Sequence, residues 1–272
     1  GTWSGTGITN TTNGTFNPTT AGTGTFPITY MGGTGVCKDT FIANVIVVGV
    51  AITGVIPTNV TCFGVNDGTL SITATGASQY TINNGSGPIV QTNGTFSGLA
   101  PGTYAITVTS AINNCQKTST AAINEPPLLT IAFSAFNNIC YNACNGYAVV
   151  IPSGGNSGYT YSWNTGAGNT PNSNGLCDGS YGLTVTDSKN CSSDTAFIIT
   201  EPTDYSIVLS TVNSNCGHPD GSAEVISIAG QTPPYNYSWN NEDLDSSATS
   251  IVNGNYSVTI TDVNGCDTIM PA

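Results

Sequence analysis

Cysteine returns along this chain at a nearly constant interval. Cys62, Cys140 and Cys216 each open a similar phrase and are spaced by 78 and 76 residues. Cys115, Cys191 and Cys266 each close one and are spaced by 76 and 75. A period of this size builds a string of similar small domains, not one large enzyme fold. Domains that small bury a modest core and commonly need covalent staples. The 9 cysteines meet that need and imply an oxidising, extracellular setting. A zinc protein fits less well, because no C-x-x-C pair is present and His218 is the only histidine.

Aligned on cysteine, the repeats share a grammar. The first Cys begins a short turn ending in glycine: "CFGVNDG", "CYNACNG", "CGHPDG". An alternating strand follows, with Leu70 and Ile72, Ala148 and Val150, and Ala223 and Val225 at equivalent inward positions. Next comes an aromatic strand, "YTYSWN" and "YNYSWN", with the plainer "QYTINN" in the first full repeat. The late strand alternates strictly, placing Tyr104, Ile106 and Val108, then Tyr181, Leu183 and Val185, then Tyr256, Val258 and Ile260 on one face. A last strand then runs to a proline boundary in "INEPP", "ITEPT" and "IMPA".

Short strands with frequent turn signals predict an all-β fold of tandem immunoglobulin-like β-sandwich modules, disulfide-stapled and arranged as an elongated rod. Full modules are expected over 50–125, 126–201 and 202–272. Residues 1–49 read as the C-terminal part of a related module whose first strands are missing: Phe26, Ile28 and Tyr30 repeat the inward face, and Trp3 stands where Trp163 and Trp239 stand. Such a half-sandwich exposes apolar edges and is expected to be completed by something else. The expected disulfides are Cys62–Cys115, Cys140–Cys191 and Cys216–Cys266, with a private Cys144–Cys177 bridge and Cys37 unpaired in this chain. Spacing alone leaves other connectivities open.

Charge excludes several function classes. The chain has 3 Lys+Arg against 15 Asp+Glu, a net charge of −12, and no arginine. Nucleic-acid binding needs clustered cations and is not expected. An anionic membrane surface is disfavoured likewise, and the apolar run from Phe41 to Ile56 is too short and polar to span a bilayer. No catalytic site is legible: His218 beside Asp220 reads as a turn, and nucleophile-elbow, HExxH and P-loop patterns are absent. Glu242, Asp243 and Asp245 form a weak calcium candidate against a solvated-loop reading. Asp187 and Asp262 recur before "KNC" and "NGC" and read as turn caps. Tyr159, Tyr161 and Trp163, with Tyr235, Tyr237 and Trp239, are a candidate sugar-stacking platform, outweighed by core packing with some surface decoration. Sequons such as Asn93-Gly-Thr95 and Asn236-Tyr-Ser238 matter only where a host glycosylates them.

The phrase "C…NDG-strand…PPYNYSW…GNYSVTITDVNGC" and the "EPP" junctions resemble the tandem repeat of the gliding-motility adhesins of Bacteroidota, the SprB-like repeat, over about residues 57–272. The first full repeat departs from it by lacking the Trp. The N-terminal piece resembles a second repeat type of the same giant surface proteins. The resemblance implies type IX secretion, cell-surface display, a role in adhesion or gliding, no catalytic residues, and O-glycan sites at Thr195 and Thr268. The chain is therefore read as a stalk segment that holds a binding tip away from the cell. Its expected partners are further modules of the same polypeptide or neighbouring copies in a fibre, with surface glycans as a further candidate. The competing readings are a filament subunit completed by donor-strand addition and a carbohydrate-binding module array.

Overall fold

The structure, a computed structural model, describes residues 1–112, 114–164 and 168–272, without the side chain of Thr34. The chain divides into two compact units, Gly1–Pro126 and Pro127–Ala272.

The first unit opens with β1 (Thr2–Ser4), β2 (Ile8–Asn10), β3 (Thr15–Phe16), the single turn α1 (Pro18–Ala21), β4 (Gly24–Thr34) and β5 (Cys37–Val47). Strands β1, β4 and β5 pair in that order as one antiparallel sheet, with Trp3 opposite Tyr30. Ile28 is buried, while Phe26 and Tyr30 are only half-buried. Phe41, Ile42 and Ile46 of β5 are exposed.

Repeat one completes this unit with β6 (Ala51–Thr58), β7 (Gly68–Thr75), β8 (Gln79–Asn83), β9 (Pro88–Gln91), β10 (Thr95–Leu99), β11 (Gly102–Thr109) and β12 (Gln116–Ile123). The sheet β10-β7-β6 is joined through one core to the sheet β12-β11-β8-β9. In the second unit, repeat two comprises β13 (Thr130–Phe136), β14 (Gly146–Ser153), β15 (Thr160–Trp163), β16 (Asn172–Leu176), β17 (Gly179–Thr186) and β18 (Ser192–Ile199). Repeat three comprises β19 (Ser206–Val212), β20 (Gly221–Ala229), β21 (Asn236–Trp239), β22 (Ser247–Ile251), β23 (Ser257–Thr261) and β24 (Asp267–Pro271). Both use the same two-sheet order, β13-β14-β16 with β15-β17-β18, and β19-β20-β22 with β21-β23-β24. This is the connectivity of an immunoglobulin-like sandwich.

Period-two alternation explains the cores. Leu70, Ile72, Ile106 and Val108 are buried in repeat one, Ala148, Val150, Leu183 and Val185 in repeat two, and Ala223, Val225, Val258 and Ile260 in repeat three. Trp163 and Trp239 close their cores, and each indole N–H finds a carbonyl, Thr170 O and Asp245 O, both at 3.0 Å. Ile82 fills this place in repeat one. At the E–F corner, Tyr104 donates to Ala100 O (2.9 Å) and Tyr181 to Cys177 O (3.0 Å), the tyrosine corner of such sandwiches. Gly76, Gly154 and Gly230 end β7, β14 and β20 at φ of 70°, 80° and 89°. A Cβ at these positions would collide with the carbonyl of Gly49, Leu128 or Asp204, so only glycine fits.

Strand direction corrects the disulfide expectation. The turn carrying the first Cys precedes β14, and the turn carrying the second Cys follows β17. Strand β14 leads away from the first, and the loop after it meets the second where Asn156 N donates to Asp187 Oδ2 (2.7 Å). Cys140 and Cys191 are thus held a strand length apart, about 25 Å for eight residues, whereas a disulfide needs Cα atoms within roughly 7 Å. Cys140 is instead bonded to Cys266, with Cα atoms 5.6 Å apart, which overturns both Cys140–Cys191 and Cys216–Cys266. Cys62 and Cys115 occupy the same opposed ends of repeat one and are not suited to each other. Cys62 takes part in a disulfide, and so does Cys191. Cys144 and Cys177 flank turns at one end of repeat two and are bonded, as expected from sequence. Cys37 and Cys216 are free and exposed.

Candidate functional site

The junction between repeats two and three, inside the second unit, is where the repeated residues converge. Cys140 is placed by the turn between β13 and β14. Asn145 Oδ1 accepts from Ile139 N (3.0 Å), and the amide of Asn142 reaches Glu201 Oε2 (2.7 Å) just past β18. The equivalent turns use Asp67 for Thr61 N (2.9 Å) and Asp220 for Asn215 N (2.7 Å). Hydrogen bonds from the side chains of Thr61 and Asn215 lead the causes that lower the pKa of these two carboxyls.

Cys266 is placed from repeat three by Asp262. Its Oδ1 accepts from Asn264 N and Cys266 N (both 2.8 Å), and its Oδ2 from Thr232 N (3.1 Å). Tyr205 donates to Cys266 O at 2.6 Å. Burial first, then the nearby Asp262 charge, pushes the Tyr205 phenol up to about 12. Tyr141 N donates to Gln231 Oε1 across the junction at 3.4 Å. Beside the bond lies a cleft of about 330 Å³ lined by Cys140, Tyr141, Asp204, Tyr205, Gln231 and Cys266, among others. The Cys140–Cys266 bond makes the junction a covalent joint between two sandwiches.

A family model described as the SprB repeat matches residues 54–87, 132–168 and 208–244, beginning each time in the first strand of a sandwich. The chain carries three tandem SprB repeats.

The remaining candidates fall on turns and cores of these SprB repeats. His218 is exposed, and its amide closes a turn on Asn215 O (2.7 Å), while Asp220 serves Asn215. Asp187 caps the turn before Cys191. Burial raises its pKa, but hydrogen bonds from Asn156, Cys191 and Lys189 outweigh that and hold it near about 2. Among the described residues, no group of three or more His, Cys, Asp or Glu converges as metal ligands. In the loop of Glu242, the carbonyls of Asp243 and Asp245 accept from Trp239 N (2.8 Å) and Nε1 (3.0 Å).

Tyr159, Tyr161 and Trp163 all pack against the core of repeat two, and Tyr235, Tyr237 and Trp239 against that of repeat three. Residues two apart in a strand share a face, so these aromatics do not divide between core and surface. Thr195 and Thr268 are half-buried on β18 and β24, and the sequon residues Asn93 and Asn236 are exposed. Among the described residues, no helix is long and apolar enough to cross a membrane.

No curated protein matches the chain. Among solved structures, three N-terminal domains of the bacteriophage RB49 Highly Immunogenic Outer Capsid protein align with a TM-score of 0.43 and 14% identity, covering 82% of this chain and 97% of that one. The C-terminal fragment of intimin, solved with the intimin-binding domain of its translocated receptor, aligns with a TM-score of 0.35 and 14% identity, covering 56% of this chain and 65% of that one. The structure of Dpr2 Ig1-Ig2 with DIP-Theta Ig1-Ig3 aligns with a TM-score of 0.31 and 11% identity, covering 82% and 97%.

Proposed function

We propose that this adhesin-type repeat region is a stalk segment of an extracellular, cell-surface adhesin. Its work is mechanical and non-enzymatic: it spaces and bears load between a surface and a binding element. Membership of the repeat in gliding adhesins supports the surface location and the type IX export route. The observation that carries the mechanical reading is the Cys140–Cys266 bond, which ties one repeat to the next rather than closing a single domain. In the chain-entropy picture a bond across 126 residues stabilises by about 5 kcal/mol, and Cys144–Cys177 across 33 by about 4. More to the point, tension applied along the chain is carried by sulfur and bypasses the residues between. A sugar-binding array finds less support, because the aromatics it would use face inward.

The test is single-molecule pulling on the termini of the oxidised and the reduced protein. Reduction should lengthen the fully unfolded tether by at least on the order of 450 Å, the reach of the 126 residues between Cys140 and Cys266, with any further gain coming from the disulfides of Cys62 and Cys191. An extension indifferent to reductant would remove the basis for a load-bearing staple.

A further inference from the structure

Repeat two departs from its neighbours on the outward face of the sheet β13-β14-β16. Phe136 and Tyr147 are register partners on β13 and β14, and their rings stack at a centroid distance of 4.3 Å and an interplanar angle of 12°. The pair is nevertheless open to water, with Phe136 44% and Tyr147 39% exposed. Tyr147 pairs in turn with the exposed Asn174 of β16, so ring, ring and amide form one row across the sheet. The following rows add Val149 opposite Asn172, then the exposed Ile151. Period two places all of these on the side away from the core that Ala148 and Val150 help to fill, so the core does not account for the aromatic pair. The equivalent row is Thr58, Thr69 and Ser97 in repeat one, and Val212, Ser222 and Thr249 in repeat three.

A second feature private to repeat two stands beside the first. The Cys144–Cys177 bond joins the turn three residues before Tyr147 to the turn three residues after Asn174. Repeats one and three have neither cysteine. The bond braces the two strand ends that carry the middle ring and the amide. A site held rigid before its ligand arrives loses less entropy on binding.

Size and charge select the occupant. The face measures about 10 Å across its three strands and about 14 Å from Tyr147 to Ile151. That is far below the roughly 800 Å² per partner of a stable protein interface. Strands β13, β14 and β16 contain no Asp, Glu or Lys, in a chain of net charge −12. A pyranose suits such a surface. Its slightly positive C–H bonds meet the negative face of an aromatic ring, and its hydroxyls both donate and accept, as an asparagine amide does.

We propose that the outward face of repeat two binds an uncharged glycan, seated on the Phe136–Tyr147 pair and oriented by the amides of Asn174 and Asn172. This is one site on one repeat, separate from the inward aromatics, and it is independent of the load-bearing role.

The test titrates the whole oxidised protein with the neutral oligosaccharides cellohexaose, mannohexaose and chitohexaose, followed by backbone amide and aromatic-ring resonances. Saturable shifts centred on Phe136, Tyr147 and Asn174 are expected with at least one of them. They should persist at high salt, because no ion pair forms. Tyr147→Ala and Phe136→Ala should each weaken binding at least about tenfold. Phe63→Ala, which removes an exposed aromatic from repeat one, should leave it unchanged. Should a variant not fold, the position of the shifts on unaltered protein decides the matter. No shifts up to about 10 mM sugar, or shifts centred elsewhere, would overturn the proposal. Shifts at the pair that follow protein concentration without sugar would make a second copy the occupant and overturn it equally.

Discussion

Asp187 shows how much a single carboxylate organises here. It collects N–H donors from Asn156 (backbone and side chain), Lys189 and Cys191, and so fixes the turn before Cys191 against the turn after β14. Its pKa is held near about 2, below that of an unfolded aspartate. Protonation is therefore favoured by unfolding. The stabilisation is complete above about pH 5 and is lost as pH falls through about 4 towards 2, amounting to about 2 kcal/mol. Urea unfolding between pH 5 and 2 should show this loss in the second unit, and Asp187→Asn should lower stability at neutral pH while flattening the acid dependence. A variant with an unchanged acid profile would show that the carboxylate is not the group that titrates. The recurrence of Asp187 and Asp262 before the second Cys was legible as a turn cap. Their partners Asn156 and Thr232 were not, because they come from a loop some 30 residues away that only the folded sandwich brings near.

Among the elements, the late strand is the most legible in sequence, since a strict two-residue alternation leaves one way to bury Leu183 and Val185. Its tyrosine does more than pack: the hydroxyl ties the strand back to the preceding turn. Tyr181→Phe should cost about 1 kcal/mol by removing the bond to Cys177 O while preserving the ring's stacking on Phe197, a loss measurable by chemical denaturation. Gly154→Ala should cost more, because it demands φ near 80° and meets the Leu128 carbonyl. Two element readings differ from the sequence expectation. The aromatic strand keeps all three rings on one face, and β24 is set in a register that pairs Ile269 with Thr259 and leaves it exposed. The first followed from pleat geometry already in hand. The second did not, because both registers leave a plausible apolar pattern in "DTIMPA".

For the molecule as a whole, the thiols make a direct accounting. Alkylation of the folded, unreduced protein should modify Cys37 and Cys216 and spare Cys140, Cys144, Cys177 and Cys266, as peptide mass mapping will show. A Cys140–Cys191 peptide in the same map would contradict the fold. Periodicity identified which cysteines are equivalent, but equivalence does not say at which end of a sandwich each one lies. Counting strand reversals between the two turns was the available signal: β14 and β17 run the same way, so a turn before one and a turn after the other fall at opposite ends.

The Cys140–Cys266 linkage also sets an order of events for biogenesis. Disulfides form in an oxidising compartment, after the chain has left the reducing one in which it is made. In an unfolded chain Cys191, 51 residues along, closes a shorter and entropically cheaper loop to Cys140 than does Cys266, 126 residues along. What keeps the nearer thiol from being taken is the rigidity of its own sandwich, which must fold before oxidation. The finished bond is then a chemical record that the following repeat was made and correctly folded.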